Sequence, residues 1–301
     1  MWVIKYRKIF YTISGLMVLA SIAAIAFYGL NLGIDFKGGS MVEISYESNR
    51  PTVTTLNEAF KGLNLGSVSI QPTGEQGFIL RLREVTDEER ATLLQAASLN
   101  NTAPVTEVQS SIIGPALGRE LAQKGLIAIA IVSLLIILFI AIAFRHVSKP
   151  VASWKYGLIA IATLIHDITI PTGVFAYLGA TRGTEIDALF ITAILTILGL
   201  SVNDTIVVFD RIRENLRLRI APYFEDTVGI SLSQTFTRSI NTSLTVILVL
   251  LCLYFFGGPT TKDFALVLTI GMVVGTYSSI LSLHLSSSPG KSGPKNTQNS
   301  I

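Results

Sequence analysis

One stretch limits what this chain can become. Residues 201–213, Ser-Val-Asn-Asp-Thr-Ile-Val-Val-Phe-Asp-Arg-Ile-Arg, follow without a break from the apolar run 188–200. The run reads as a membrane-spanning helix, which places Asn203 and Asp204 inside it and lets Arg211 and Arg213 close it with positive charge. A carboxylate within the hydrocarbon region costs about 2.5–3.5 kcal/mol on insertion scales and normally faces a cavity or a partner. Asp204 precedes Arg211 by seven residues, roughly 10 Å along a helix axis, too deep for a short side chain to reach water easily. The stretch points to a proton or ion relay. The plainer alternative is an Asp that reaches the headgroups.

Composition agrees with a membrane protein. Half of the 301 residues are hydrophobic and only 14% are charged, against roughly 25% in soluble domains. The single cysteine, Cys252, lies in an apolar run, which leaves no disulfide framework and no cysteine metal site. His146, His166 and His284 are scattered and form no ligand cluster. No phosphate-binding glycine loop and no Ser-His-Asp context occurs, so the chain is read as a non-enzyme without cofactor or metal. No nucleic-acid partner is expected.

The chain opens with Lys5, Arg7 and Lys8 and an apolar segment at 9–30. This segment is longer than the core of a signal peptide and is read as a retained first span. Gly33-Ile34-Asp35-Phe36-Lys37-Gly38-Gly39-Ser40 follows and reads as a turn from helix to strand. From 41 to 119 the chain is polar. Strands are expected at 41–46, 67–71, 77–83 and 105–113, with a turn at Pro72-Thr73-Gly74. Helices are expected at 54–61 and from Thr86, where Thr86-Asp87-Glu88-Glu89 fits a capping box. The order β-α-β-β-α-β is the ferredoxin-like motif.

A connector is expected at 111–120. Further spans are expected at 121–144, 154–178, 188–210, 236–256 and 264–285, with an interfacial helix within 211–235 and a turn at Gly257-Gly258-Pro259. Six spans put both termini on one side. The basic clusters at 5–8, 145–155 and 211–219 fall on that side, which the positive-inside rule makes the cytoplasm. The expected organisation is a cytoplasmic start and first span (1–32), an extracytoplasmic domain (33–120), a five-helix remainder of the bundle (121–285) and a disordered cytoplasmic tail (286–301).

Within the bundle, Arg238 opens the fifth span from the side that Asp204 approaches, so the two can form a carboxylate–guanidinium pair that exchanges a proton with its charge compensated. Snorkelling of Arg238 to the interface is the equal alternative. His166 and Asp167 fall midway along the third span, as a relay or as a clamp between helices. Gly271 with Gly275, and Gly29 with Gly33, have the spacing of close-packing helix faces. Asp210, Arg211, Arg213 and Glu214 read as a surface ion-pair cluster.

Gly33–Ser40 after the first span, Gly114-Pro115, His166-Asp167, residues 202–215, Arg238 and Gly257-Gly258-Pro259, taken in order, resemble the SecD/SecF family of protein-export membrane proteins, in the RND (resistance-nodulation-division) superfamily. The resemblance covers about 9–282, and the short external domain favours the SecF branch. It implies an RND-type bundle in the inner or plasma membrane, or a thylakoid membrane, that pairs with SecD. It implies work with the SecYEG channel and SecA, with protons, membrane lipids and a translocating preprotein as the other partners. It assigns Asp204 and Arg238 to a proton pathway flanked by Asn203 and Thr205, and makes Gly33, Asp35, Gly38 and Gly39 a structural motif. Two other readings share the bundle: an RND-type exporter of small molecules or lipids, and an assembly scaffold in which Asp204 and Arg238 are a static pair.

Overall fold

A computed structural model describes residues 7–47, 50–66, 68–99, 101–143 and 153–286. Lys5, Arg145, His146 and Lys149 lie outside the described residues, as does the tail from 287 onward.

The first apolar segment forms helix α1, Arg7–Tyr28. Gly29 stops it: its φ is +70° and its amide bonds the Ile25 carbonyl at 3.0 Å, a left-handed helix end that glycine favours. A Cβ on Gly29 would meet nothing within 4 Å. The expected Gly29/Gly33 packing face is therefore absent; Gly29 serves as a helix stop and only Gly33 lies against a neighbour, Glu185.

Where a simple turn was expected there is one helical turn, α2, Ile34–Lys37. Then come β1 (Gly39–Tyr46), α3 (Val53–Phe60), β2 (Ser69–Thr73), β3 (Gly77–Leu82), α4 (Asp87–Ala97) and β4 (Val105–Ile113). The strands form one antiparallel sheet in the order β2-β3-β1-β4. Alternate residues of β1, Val42, Ile44 and Tyr46, join Phe78, Leu80, Leu56 and Leu93 in its core, as the two-residue period of a strand requires. The Tyr46 hydroxyl donates to the Ala97 carbonyl at 3.0 Å, and burial pushes its phenol up to about 12. The turn lies at 74–76, not 72–74. Pro72 pairs with Phe78 inside β2, which it can do because β2 is an edge strand and needs no second ladder.

The second half is helical: α5 (Pro115–Ala143), α6 (Ser153–Arg182), α7 (Ala188–Arg217), α8 (Phe224–Phe256) and α9 (Pro259–Ser286). The expected connector at 111–120 shrinks to Gly114, since Pro115 starts a helix at the position where its missing N–H costs nothing. No separate interfacial helix forms within 211–235. Its residues are the end of α7, a short loop at 218–223 and the beginning of α8. Among the described residues, five helical stretches, Ile9–Tyr28, Pro115–Ile142, Ile161–Arg182, Ala188–Arg217 and Asp226–Phe256, are long and apolar enough to cross a membrane. α9 packs against α6, α7 and α8, and α1 packs on α6. A Cβ on Gly271 would fall 2.2 Å from Ile197, so α9 and α7 approach as closely as the Gly271/Gly275 spacing suggested. Leu16, Phe27, Leu126, Leu134, Leu248 and Phe256 stand exposed on the outside of the bundle. Apolar surface of that extent needs lipid or a partner to cover it.

Candidate functional site

Two polar assemblies stand out, one at the junction of sheet and bundle and one inside the bundle. The junction is built on the glycine motif. The Gly33 amide donates to the Ile186 carbonyl at 2.8 Å, and the Ile186 amide donates to the Asn31 carbonyl at 2.8 Å. Gly38 has φ +79°, and a Cβ there would fall 2.7 Å from Pro115. Gly39 has φ +143°, and its Cβ would fall 2.6 Å from the Leu82 carbonyl oxygen. Both positions exclude other residues through conformation and contact together. Asp35 accepts from the Ala188 amide at 2.9 Å, and Asp187 accepts from the Phe190 amide at 2.8 Å. Two carboxylates thus meet the positive end of α7. From the sheet, Arg81 pairs with Glu185 at 3.1 Å and Gln71 donates to the Gly183 carbonyl at 2.8 Å. Asp35, Glu185, Asp187 and Asp263 line a cavity of about 340 Å³ at this junction. Burial pushes the Glu185 carboxyl up against the pull of Arg81, and burial likewise pushes up Asp187 against the pull of the Phe190 amide.

The second assembly joins four helices. Asp167 of α6 is fully buried. One of its oxygens lies 2.9 Å from His166 Nδ1; the other accepts from the Ser278 hydroxyl of α9 at 2.9 Å and from the Ser201 hydroxyl of α7. One turn further along α7, Asp204 is buried and accepts from the Ser243 hydroxyl of α8. The Thr276 hydroxyl of α9 lies 2.7 Å from that of Ser243. Thr205 is buried and donates to the Ser201 carbonyl at 3.1 Å. A Cβ on Gly275 would sit 3.3 Å from Ser201 Cβ, so this glycine lets α9 bring Thr276 and Ser278 up to the two carboxylates.

The remaining expected residues fall elsewhere. Asn203 and Arg238 are exposed on the outer faces of α7 and α8, and among the described residues Arg238 makes no ion pair. Arg211 bonds Glu214 at 2.6 Å, and Arg213 lies 4.0 Å from Asp210, as the surface cluster anticipated. Asn215 adds a buried bond to Ser231 at 2.7 Å that fastens the end of α7 to α8.

Residues 94–284 match the family described as protein export membrane protein SecD/SecF, C-terminal, and residues 23–49 match the SecD/SecF GG motif. The chain belongs to the SecD/SecF family. It is 44% identical to the protein translocase subunit SecF of Thermobaculum terrenum, over 94% of this chain and 92% of that one. It is 35% identical to the protein translocase subunit SecDF of Bacillus subtilis over 91% of this chain, but spans only 36% of that longer protein. A crystal structure of SecDF from Thermus thermophilus, a translocon-associated membrane protein, superposes with a TM-score of 0.80 at 33% identity, covering 93% of this chain and 37% of that one.

Membership of the SecD/SecF family makes this a membrane-embedded protein of the export machinery and not an enzyme. The GG-motif match contains Gly33, Asp35, Gly38 and Gly39, and the C-terminal match contains His166, Asp167, Asn203, Asp204, Thr205 and Arg238. Ser201, Ser243, Thr276 and Ser278 complete the buried assembly and were not anticipated. The Gly-xxx-Gly spacing of Gly271 and Gly275 was the one signal near them, since it marks the face on which Thr276 and Ser278 follow.

Proposed function

We propose that this chain is the SecF-type subunit that acts with SecD, using the proton-motive force to assist preproteins through SecYEG after SecA has driven them in. The observation that carries the reading is Asp204: a carboxylate buried in a membrane helix whose partners among the described residues are neutral hydroxyls, Ser243 directly and Thr276 behind it. Neutral partners tolerate the protonated acid and leave its ionised form uncompensated, so the two protonation states favour different arrangements of the helices. A membrane potential contributes about 2.3 kcal/mol per charge per 100 mV, enough to bias such an equilibrium.

Arg238 is the charge that compensates ionised Asp204 in this reading once the helices have rearranged. It precedes Ser243 on α8 by about 7.5 Å of helix axis, and its open face is where the SecD half of the bundle packs. Asn203 is exposed on α7, and Thr205 is buried on its inner side.

The finer architecture follows the same reading. α9, 28 residues long, is the sixth span. The antiparallel order β2-β3-β1-β4 with α3 and α4 between its strands supports a ferredoxin-like domain at 33–120. Basic residues near the bundle ends at 5–8, 145–155 and 211–219 support cytoplasmic termini and an extracytoplasmic sheet. The junction at Asp35, Ile186 and Glu185 then passes helix motion to that domain. Export by vesicles containing SecYEG, SecD and this chain tests the reading, through the loss of gradient-dependent export in Asp204→Asn.

A further inference from the structure

The buried assembly has one loose end. His166 is 8% exposed, and its Nδ1 is committed to Asp167 at 2.9 Å. Its other ring nitrogen, Nε2, is buried and has no hydrogen-bond partner among the described residues. An imidazole with Nδ1–H given to a carboxylate keeps a lone pair on Nε2, and gains a second N–H there when it takes up a proton. Either form leaves a buried polar atom that calls for a partner.

A cavity of about 400 Å³ adjoins it, lined by Tyr11, Ser14 and Gly15 of α1, Thr163 and His166 of α6 and Ser278 of α9. A water molecule occupies about 30 Å³ in the liquid and needs two or more polar partners. The space is ample, and Tyr11, Ser14 and Thr163 stand with His166 and Ser278 in a wall that is otherwise apolar, formed by Val18, Leu19, Ala162 and Ile165. Ser278 lies on both sides of the site: it lines the cavity and donates to Asp167.

We infer that His166 is a second protonation site of the bundle, at which water in the α1–α6–α9 cavity takes up or delivers a proton at Nε2. The inference rests on the proton-driven reading above and names the exit that reading lacks. These parts of α1, α6 and α9 are their cytoplasmic halves under the proposed orientation, so the cavity is the cytoplasmic port. The step is simple in its bookkeeping. The imidazolium gives its Nε2 proton to a cavity water, the hydrated proton leaves through the cavity, and the neutral ring keeps Nδ1–H on the Asp167 carboxylate. Loss of a proton from Asp204 adds negative charge one turn from Ser201 and favours the protonated imidazole; reprotonation of Asp204 favours release. Among the described residues, the titratable groups next to the ring are Asp167 on its own helix and Tyr11 in the shared cavity wall on α1, with Asp204 one helical turn beyond Ser201 on α7. Ser278 of α9 shares the cavity wall with it, and Ser278 and Ser201 of α7 both act on it through Asp167.

The test uses vesicles with SecYEG, SecD and the full chain, carrying His166→Gln, His166→Ala or Asp204→Asn. His166→Gln keeps a donor for Asp167 but does not titrate. It should lower gradient-dependent export at least about tenfold, the scale of losing a positioned proton-transfer group, and flatten its dependence on cytoplasmic pH between about 5 and 8. His166→Ala should regain export when imidazole is added on the cytoplasmic face, a rescue that a purely structural histidine would not give. If Asp204→Asn loses the gradient response while both His166 variants keep the wild-type rate and pH profile, the port is elsewhere and the proton-driven reading survives. If Asp204→Asn keeps the full response, both fall. A second measurement is independent of these variants: Ser14→Cys with Cys252→Ser should react with a membrane-impermeant maleimide from the cytoplasmic side, and failure to react, with the protein assembled, would mean a dry cavity and overturn the inference.

Discussion

Asp35 accepts a hydrogen bond from the backbone amide of Ala188 at 2.9 Å. A residue of the glycine motif thereby holds the first turn of α7, the helix that carries Asp204. The Gly33–Ile186 and Asn31–Ile186 bonds clamp the same loop from the other side. The sheet unit is thus fastened to the helix that carries Asp204, which gives helix motion a direct route out of the bundle.

Removing that clamp should weaken the junction without touching the buried carboxylates. Asp35→Ala takes away an anion from the positive end of α7 and should cost about 1 kcal/mol. A lower thermal midpoint of the purified complex, with Asp35→Asn intermediate, is the expected result.

Gly39 of the motif differs from Gly74, a turn glycine of the sheet. Gly39→Ala would force a Cβ to within 2.6 Å of the Leu82 carbonyl at φ +143°, whereas Gly74 has φ +55° and open space around it. Gly39→Ala should cost more than about 2 kcal/mol and reduce the amount of assembled protein in membranes, while Gly74→Ala should cost about 1 kcal/mol. Immunoblots and thermal melts of the two variants side by side check this.

The junction carboxylates set a pH dependence. Burial raises Glu185 above its ordinary 4.5 and Asp187 above its ordinary 3.8. A carboxyl with a raised folded value binds its proton more tightly when folded, so ionising it costs stability. The cost is absent below the ordinary values, grows as pH rises through the raised ones and is then constant. Stability of the wild type relative to Glu185→Gln should therefore fall as pH rises above about 4.5. Melts of both proteins across pH 4–8 measure the difference.

Ser278 and Ser201 share one oxygen of a fully buried Asp167. Ser278→Ala leaves that carboxylate short of a donor and should cost about 1–3 kcal/mol. The double variant with Ser201→Ala should depart from additivity, because both singles act on the same acceptor. A double-mutant cycle on thermal or denaturant unfolding reads the coupling.

The sequence was most legible where structure is local. The Thr86 box formed, with Thr86 Oγ1 accepting from the Glu89 amide at 3.3 Å and the Glu89 carboxylate accepting from the Thr86 amide at 3.1 Å, because four consecutive residues contain all its partners. β4 kept its expected bounds, Val105–Ile113. Pro72 misled, since proline marks a turn by type and its edge position in the sheet is a tertiary fact. Within the bundle, Asp204 and Asp167 were visible as charge in apolar runs. Their hydroxyl partners were not. Serine and threonine in membrane helices often bond their own preceding turn, as Thr205 does to Ser201 and Thr269 to Ala265, so residue type says nothing about which ones reach across to a carboxylate. The outward face of Arg238 depends on how α8 is rotated against α7 and α9, which no local pattern records.

Asp204 carries the account, and export of a model preprotein tests it most directly. Vesicles containing SecYEG, SecD and this chain are compared with the same vesicles carrying Asp204→Asn, each with and without a proton gradient. The account predicts that the variant assembles with SecD and loses the gradient-dependent part of export. Equal responses of wild type and variant to the gradient would contradict it, and would make Asp204 a structural residue.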